Sequence, residues 1–348
     1  MNAFFETLAQ WRDAVLDRLP ATGVLRWVVA VFALYLLGAL LLGMYWSMAP
    51  AQFDVRERAS ELAAREGGQV VVGSVTTGAM IGVMETLLEK PGGFLQNDRL
   101  PPGVWLDNMP NWEYGALIQV RDLARALREV LSRSQSQSRE DKDLANAEPN
   151  FNFNADSWML PASESEYRSG LEYSLNYFRR LSDPQSPDAQ FFSRADNLRY
   201  WLSTVESRLG SLSQRLSASV GQVRVNTDLA GDESAAKSTA TAAIQEVRTP
   251  WTEIDDVFYE SRGTAWALIH FLKAAEVDFA DVLEKKNARV SLSQIIRELE
   301  ATQDFIWAPV ILNGSGFGVL ANHSLVMASY ISRANAAIID LRGLLSEG

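Results

Sequence analysis

The pattern of apolar and polar positions divides the chain into one unbroken apolar run and a long remainder in which apolar residues recur every three or four positions. From Trp27 to Met48, twenty-two residues pass without a charge. As a helix this run is about 33 Å long, against a bilayer hydrocarbon core of about 30 Å. Trp27 at one end, and Tyr45 and Trp46 at the other, suit the headgroup level. The pattern therefore predicts a single transmembrane helix over residues 24–48, with the lipid bilayer as its partner. Within it Ala39 and Gly43 form a small-xxx-small pair, the spacing at which membrane helices approach closely, and they are the candidate packing positions of the span.

Arg12, Arg18 and Arg26 precede the run, whereas the first cations after it are Arg56 and Arg58. The positive-inside bias places residues 1–23 in the cytoplasm and the rest across the membrane. Phe4, Leu8, Trp11, Val15 and Leu19 have helical spacing and suggest an interfacial segment ahead of the span. A cleavable signal peptide is the rival reading, because Ala49-Pro50-Ala51 has the small-x-small form. The apolar run exceeds the usual h-region of about 7–15 residues, which favours an uncleaved anchor.

Beyond the span, residues 49–348 read as all-α, an elongated extracytoplasmic helical bundle. Leu198, Trp201, Leu202, Val205, Leu209, Leu212 and Leu216 predict a helix from about Asp188 to Ser219. A second is predicted from about Pro250 to Leu283, and a third, apolar enough to be central, from about Ala321 to Leu345. Ser163 with Glu166 and Ser291 with Gln294 have the capping-box form, while Ser186-Pro187 and Thr249-Pro250 place an N-cap before proline. Residues 225–248 are small and polar and read as a flexible loop; SQSQS at 134–138 is a second connection.

Composition then narrows the chemistry. The net charge of −11 lies wholly beyond residue 48, since the three arginines before it are balanced by Glu6, Asp13 and Asp17. Such a domain repels nucleic acid, so no nucleic-acid partner is expected. Cysteine is absent, which removes disulfides, thiolate metal sites and cysteine nucleophiles. His270 and His323 are the only histidines, neither in a metal-binding spacing, and both read as hydrogen-bonded residues in or near a core. No catalytic, cofactor or metal site is expected.

Three stretches carry candidate chemistry. PPGVWLDNMPNWEY, from Pro101 to Tyr114, mixes tryptophans with carboxylates and amides. Trp105, Asp107, Asn108, Trp112 and Glu113 are its candidate ligand or partner surface, for instance for a glycan, against the alternative that the tryptophans plug one end of the bundle. Glu113 and Asp107 have the right type for glycan cleavage, but nothing local singles out a pair among 43 acidic residues. Asp255, Asp256 and Glu260, with Glu276 and Asp278, resemble carboxylate-metal helices but lack the histidine partners and read as surface charge. Asn313-Gly314-Ser315-Gly316-Phe317-Gly318 copies a phosphate loop poorly and reads as a tight turn.

Continued as VILNGSGFGVLANHSLVMASYISRANAAIIDLR, that last loop resembles the C-terminal signature of a proteobacterial family classed as a domain of unknown function. PPGVWLDNMPNWEYGALIQVRDLARALR, SRSQSQSREDKDLANAEPNFNF, RLGSLSQRLSASVG and TPWTEIDDVFYESRGTAWAL resemble the same family, so the likeness runs from about Phe53 to Gly348. It implies an inner-membrane protein of Gram-negative bacteria with its bulk in the periplasm, and it brings no catalytic residues. The leading expectation is a scaffold or accessory subunit for envelope proteins without catalysis, with homo-oligomerisation left open. A periplasmic glycan-binding or glycan-cleaving protein is the alternative, and a small-molecule sensor domain, recognisable by a closed apolar pocket, the third.

Overall fold

Eleven helices account for nearly all of the regular structure in a computed structural model that describes residues 23–133, 139–185, 188–225, 244–306, 310–314 and 319–347. They are α1 (Gly23–Trp46), α2 (Val55–Glu66), α3 (Ser74–Glu89), α4 (Asn108–Ala126), α5 (Leu144–Phe151), α6 (Ser163–Ser182), α7 (Ala195–Ser217), α8 (Ile254–Asp278), α9 (Ala280–Lys285), α10 (Arg289–Ala301) and α11 (His323–Ser346). A π-helical turn, Leu127–Leu131, extends α4. One antiparallel hairpin pairs β1 (Gln222–Val225) with β2 (Ile244–Val247), Gln222 facing Val247. The expected all-α bundle with an apolar N-terminal helix is thus the fold. The interfacial segment, SQSQS, the Ser186-Pro187 start, most of the 225–248 loop and residues 315–318 lie outside the described residues.

The core is built around α8, which packs on α3, α4, α7 and α10. Its middle, from Ser261 to Leu272, is buried without interruption, as a helix with neighbours on all sides must be. The sequence pattern assigned that central place to the C-terminal helix, and this is corrected. On α11 a single stripe, Met327, Ile331, Ala334, Ile338, Leu341 and Leu345, is buried against α7 and α10, while Val326 and Ile339 on its other face are exposed.

Two boundaries and both capping boxes also differ. The α7 helix begins at Ala195 rather than Asp188, because the preceding segment is held extended. The Phe192 N–H donates to the Leu131 carbonyl at 2.7 Å, and the Tyr177 hydroxyl donates to the Gln190 carbonyl at 2.8 Å. The helix expected over 250–283 is interrupted at Phe279, where Asp278 turns its carboxylate onto the Thr76 N–H at the start of α3, 2.7 Å away. The Ser163 hydroxyl, instead of capping, donates to the carbonyls of Asn154 and Ser157, tying α6 to the loop before it. Ser291 lies inside α10. Thr249 donates its hydroxyl to the Arg215 carbonyl, and Trp251–Glu253 form a 3-10 turn before α8. The cap that does form at α2 is Asp54, whose carboxylate accepts from Arg56 and Glu57 N–H groups at 2.8 and 3.0 Å.

Two helix backbones approach closely where α4 and α8 cross. A β-carbon on Gly115 would lie 2.0 Å from the Glu260 carbonyl oxygen, and one on Gly263 would lie 1.9 Å from that of Trp112. Glycine at both positions lets the two backbones touch. Trp112 and Trp266 then pack with ring centroids 5.1 Å apart beside the crossing.

Candidate functional site

The end of α1 is where the apolar helix becomes part of the bundle. Most of α1 is exposed, but Ala39 and Gly43 are buried. A β-carbon at Gly43 would sit 3.4 Å from Pro102 Cβ and 3.6 Å from Leu106 Cδ2. The small-residue face expected to receive another helix therefore meets the same chain's loop. One turn further on, Trp46 covers Gly92 so closely that a β-carbon there would lie 2.8 Å from the indole.

Four polar contacts fix the surroundings of this junction. Lys90 Nζ lies 2.5 Å from Glu113 Oε1, with both side chains almost fully buried. The Glu113 carboxylate also accepts the N–H groups of Leu95 and Gln96 at 2.9 and 3.0 Å, and Lys90 donates to the Gly93 carbonyl at 2.7 Å. One ion pair thus folds the 90–96 loop into the shelf on which Trp46 rests. Burial pushes the Glu113 carboxyl up to about 7, with Lys90 and the backbone N–H groups pulling the other way.

The chain leaving α1 is held a second time at Phe53. Its N–H donates to His270 Nε2 at 3.1 Å, and its ring stacks on the imidazole at 4.1 Å. His270 Nδ1 lies 2.7 Å from the Trp266 carbonyl, which assigns it the proton and leaves Nε2 as the acceptor. Burial lowers the His270 pKa to about 4. Because this value is depressed from about 6.5, the unfolded chain binds the proton first, and stability is lost as pH falls from about 6.5 through 4. The loss amounts to about 3 kcal/mol when complete. Glu113, raised, works in the opposite sense across an overlapping range. Thermal melts of the wild type and His270→Gln between pH 4 and 7 separate the two: the acid loss of the variant is expected to be shallower. Parallel curves would remove His270 from the account.

Of the five residues proposed as one surface, the structure leaves Trp105 (53% exposed) and Asp107 outside, half-buries Asn108 and takes Trp112 (0%) and Glu113 (0%) into the core. Asp107 caps α4, accepting from the Asn108 N–H at 2.8 Å. Trp112 and Glu113 therefore offer nothing to a glycan from outside. The reason is that α4 is covered on several sides at once, by α3, α5, α7 and α8.

A second feature, which the sequence reading does not find, is a half-open cleft of about 530 Å³ between α4, α7 and α8. Arg208 reaches Asp122 through two bonds of 2.8 and 3.1 Å, and Arg215 reaches Glu260 through two of 2.7 and 2.6 Å, so its cations are already matched. Gln119, buried in its wall, has neither amide atom hydrogen-bonded within the protein. The cleft is open and its lining mixes polar and apolar groups, unlike the closed apolar pocket expected of a sensor. Near the C-terminus, Asn313 bridges Asn322, and Leu312 donates its N–H to His323 Nδ1 at 2.9 Å, a turn stitched by its own side chains. Among the described residues, no three His, Asp or Glu side chains converge to hold a metal ion.

Fold and junction together define the class: an all-α bundle carrying one N-terminal helix long and apolar enough to cross a membrane. Residues 20–348 match the family described as an uncharacterized protein conserved in bacteria (DUF2333), and the chain belongs to that family. The family likeness read from the sequence motifs thus holds over nearly the whole chain. No curated protein and no solved structure is significantly similar to it.

Proposed function

We propose that the protein is a single-pass inner-membrane scaffold or accessory subunit, its N-terminus cytoplasmic and its acidic helical domain in the periplasm, where it holds cell-envelope proteins. The observation that carries this reading is the junction. A catalytic domain on a tether needs only a flexible linker, whereas here Gly43, Trp46 and Phe53 are each packed onto the bundle within ten residues of chain. A domain fixed in height and orientation above a bilayer suits a protein that positions others. The apolar helix supplies the attachment, and the three cations ahead of it supply the orientation.

The test joins topology to partner capture in intact cells. A C-terminal alkaline phosphatase fusion, active only outside the cytoplasm, is expected to be active and to fractionate with membranes. Crosslinking through a C-terminal tag is expected to recover a defined set of envelope proteins. An inactive fusion overturns the topology; a membrane-bound, active fusion that crosslinks to nothing reproducible overturns the scaffold role.

A further inference from the structure

The loops beside the end of α1 carry an apolar surface that the bundle does not use. On the first loop, Leu100 (78% exposed), Val104 and Trp105 point away from the core. On the second, Trp158 (57%), Met159 and Leu160 (90%) do the same. The two loops are joined: Asn97 donates to the Ser157 carbonyl at 2.7 Å and Arg99 to the Asp156 carbonyl at 3.1 Å. Six large exposed apolar side chains, two of them tryptophans, therefore lie on two loops tied to one another. Contiguous exposed apolar surface of this kind marks a binding face.

Its position against α1 identifies the occupant. Pro102 and Leu106 touch the helix at Gly43, one turn before Trp46, and so lie about 5 Å deeper along the span than the tryptophan that marks its end. A loop that packs on a transmembrane helix at that depth displaces lipid there. The residues flanking the contact, Val104 and Trp105, then sit at the boundary between headgroups and acyl chains, where an indole with one wet end is favoured. We propose that the 98–106 and 156–161 loops form a bilayer-docking apron, inserted shallowly into the outer leaflet of the membrane that α1 crosses. The proposal rests on α1 being a membrane span.

The six apolar side chains carry no charge, the charged residues Asp98, Arg99 and Asp156 stand at the starts of the two loops, and the domain as a whole is acidic, so docking draws on apolar burial and does not need anionic lipid. The apron also explains why the domain is braced at Trp46 and Phe53. Span and apron together give the bundle two attachments to one surface and fix its tilt.

The absence of cysteine makes a direct test available. Full-length Val104→Cys, Leu160→Cys, Val290→Cys and Leu36→Cys variants, each bearing one environment-sensitive fluorophore, are reconstituted in phosphatidylcholine vesicles. Val290, exposed on α10 beside the Arg289–Glu276 pair, is the control remote from the junction. Labels at 104 and 160 are expected to lose emission to lipids spin-labelled near the headgroup and to resist aqueous iodide. The label at 290 should respond only to iodide, and the label at 36 to lipids spin-labelled deep in the chain. If 36 is in lipid while 104 and 160 respond to iodide like 290, the apron is overturned and the span stands. If 36 itself is unquenched by lipid, span and apron both fall. Labels at 104 and 160 shielded from iodide but untouched by lipid quencher would put a protein there and overturn the proposal.

Discussion

Gly263→Ala is expected to destabilise the bundle by about 3 kcal/mol or more, and Gly343→Ala to leave it unchanged or raise stability by up to about 1 kcal/mol. Both glycines are inside helices, where alanine is intrinsically preferred. The difference is what the new methyl meets. At 343 nothing lies within 4 Å. At 263 the methyl lands 1.9 Å from the Trp112 carbonyl oxygen and 3.0 Å from its Cα, and a backbone cannot rotate aside as a side chain can. Relief requires α4 and α8 to separate by more than an ångström. That would loosen the Trp112–Trp266 packing and the 3.2 Å bond from the Thr264 hydroxyl to the Gly115 carbonyl. Thermal melts of the two variants beside the wild type check this. Equal shifts would mean that the crossing is not as close as described.

That crossing also shows what the sequence could not announce. The apolar run of α1 and the three- and four-residue periodicity of α7 are local signals, and both were legible. Gly115 and Gly263 carry no such mark: each reads as a helix-weakening residue, and only the other's position, 148 residues away, turns it into a contact. The α3 helix was missed for a related reason. It is buried on all sides from Ser74 to Met84, so it has no polar face to reveal a period, and Thr76, Thr77, Gly78 and Gly82 lower its intrinsic propensity. At the candidate surface, Trp105 and Trp112 look alike in sequence, seven residues apart in one aromatic and acidic stretch. The structure separates them because one precedes α4 in a loop and the other lies on the helix face turned to α8. Gln119 and Lys90 gave no signal at all, since a buried polar residue is defined by partners that the sequence does not place.

The Lys90–Glu113 pair carries the other large effect. Lys90→Met is expected to cost about 3–5 kcal/mol, because it removes the cation paired with a carboxylate that has no access to water. Glu113→Ala should cost a similar amount, by stranding the ammonium and leaving the Leu95 and Gln96 N–H groups without an acceptor. The double variant Lys90→Met/Glu113→Gln should be less damaged than Lys90→Met alone. It buries no charge, its amide oxygen can still accept from the loop, and the methionine fills the space of the lysine stem. A double variant that costs the sum of Lys90→Met and Glu113→Gln measured singly would show that the two residues act independently and would sink this account. The consequence should also be local before it is global. With the pair broken, the 90–96 loop loses the bonds that shape it, and Trp46 loses the shelf formed by Gly92. Limited proteolysis of Lys90→Met below its melting temperature is therefore expected to cut between residues 90 and 106 before it cuts α8, and in the double variant this early cleavage should recede.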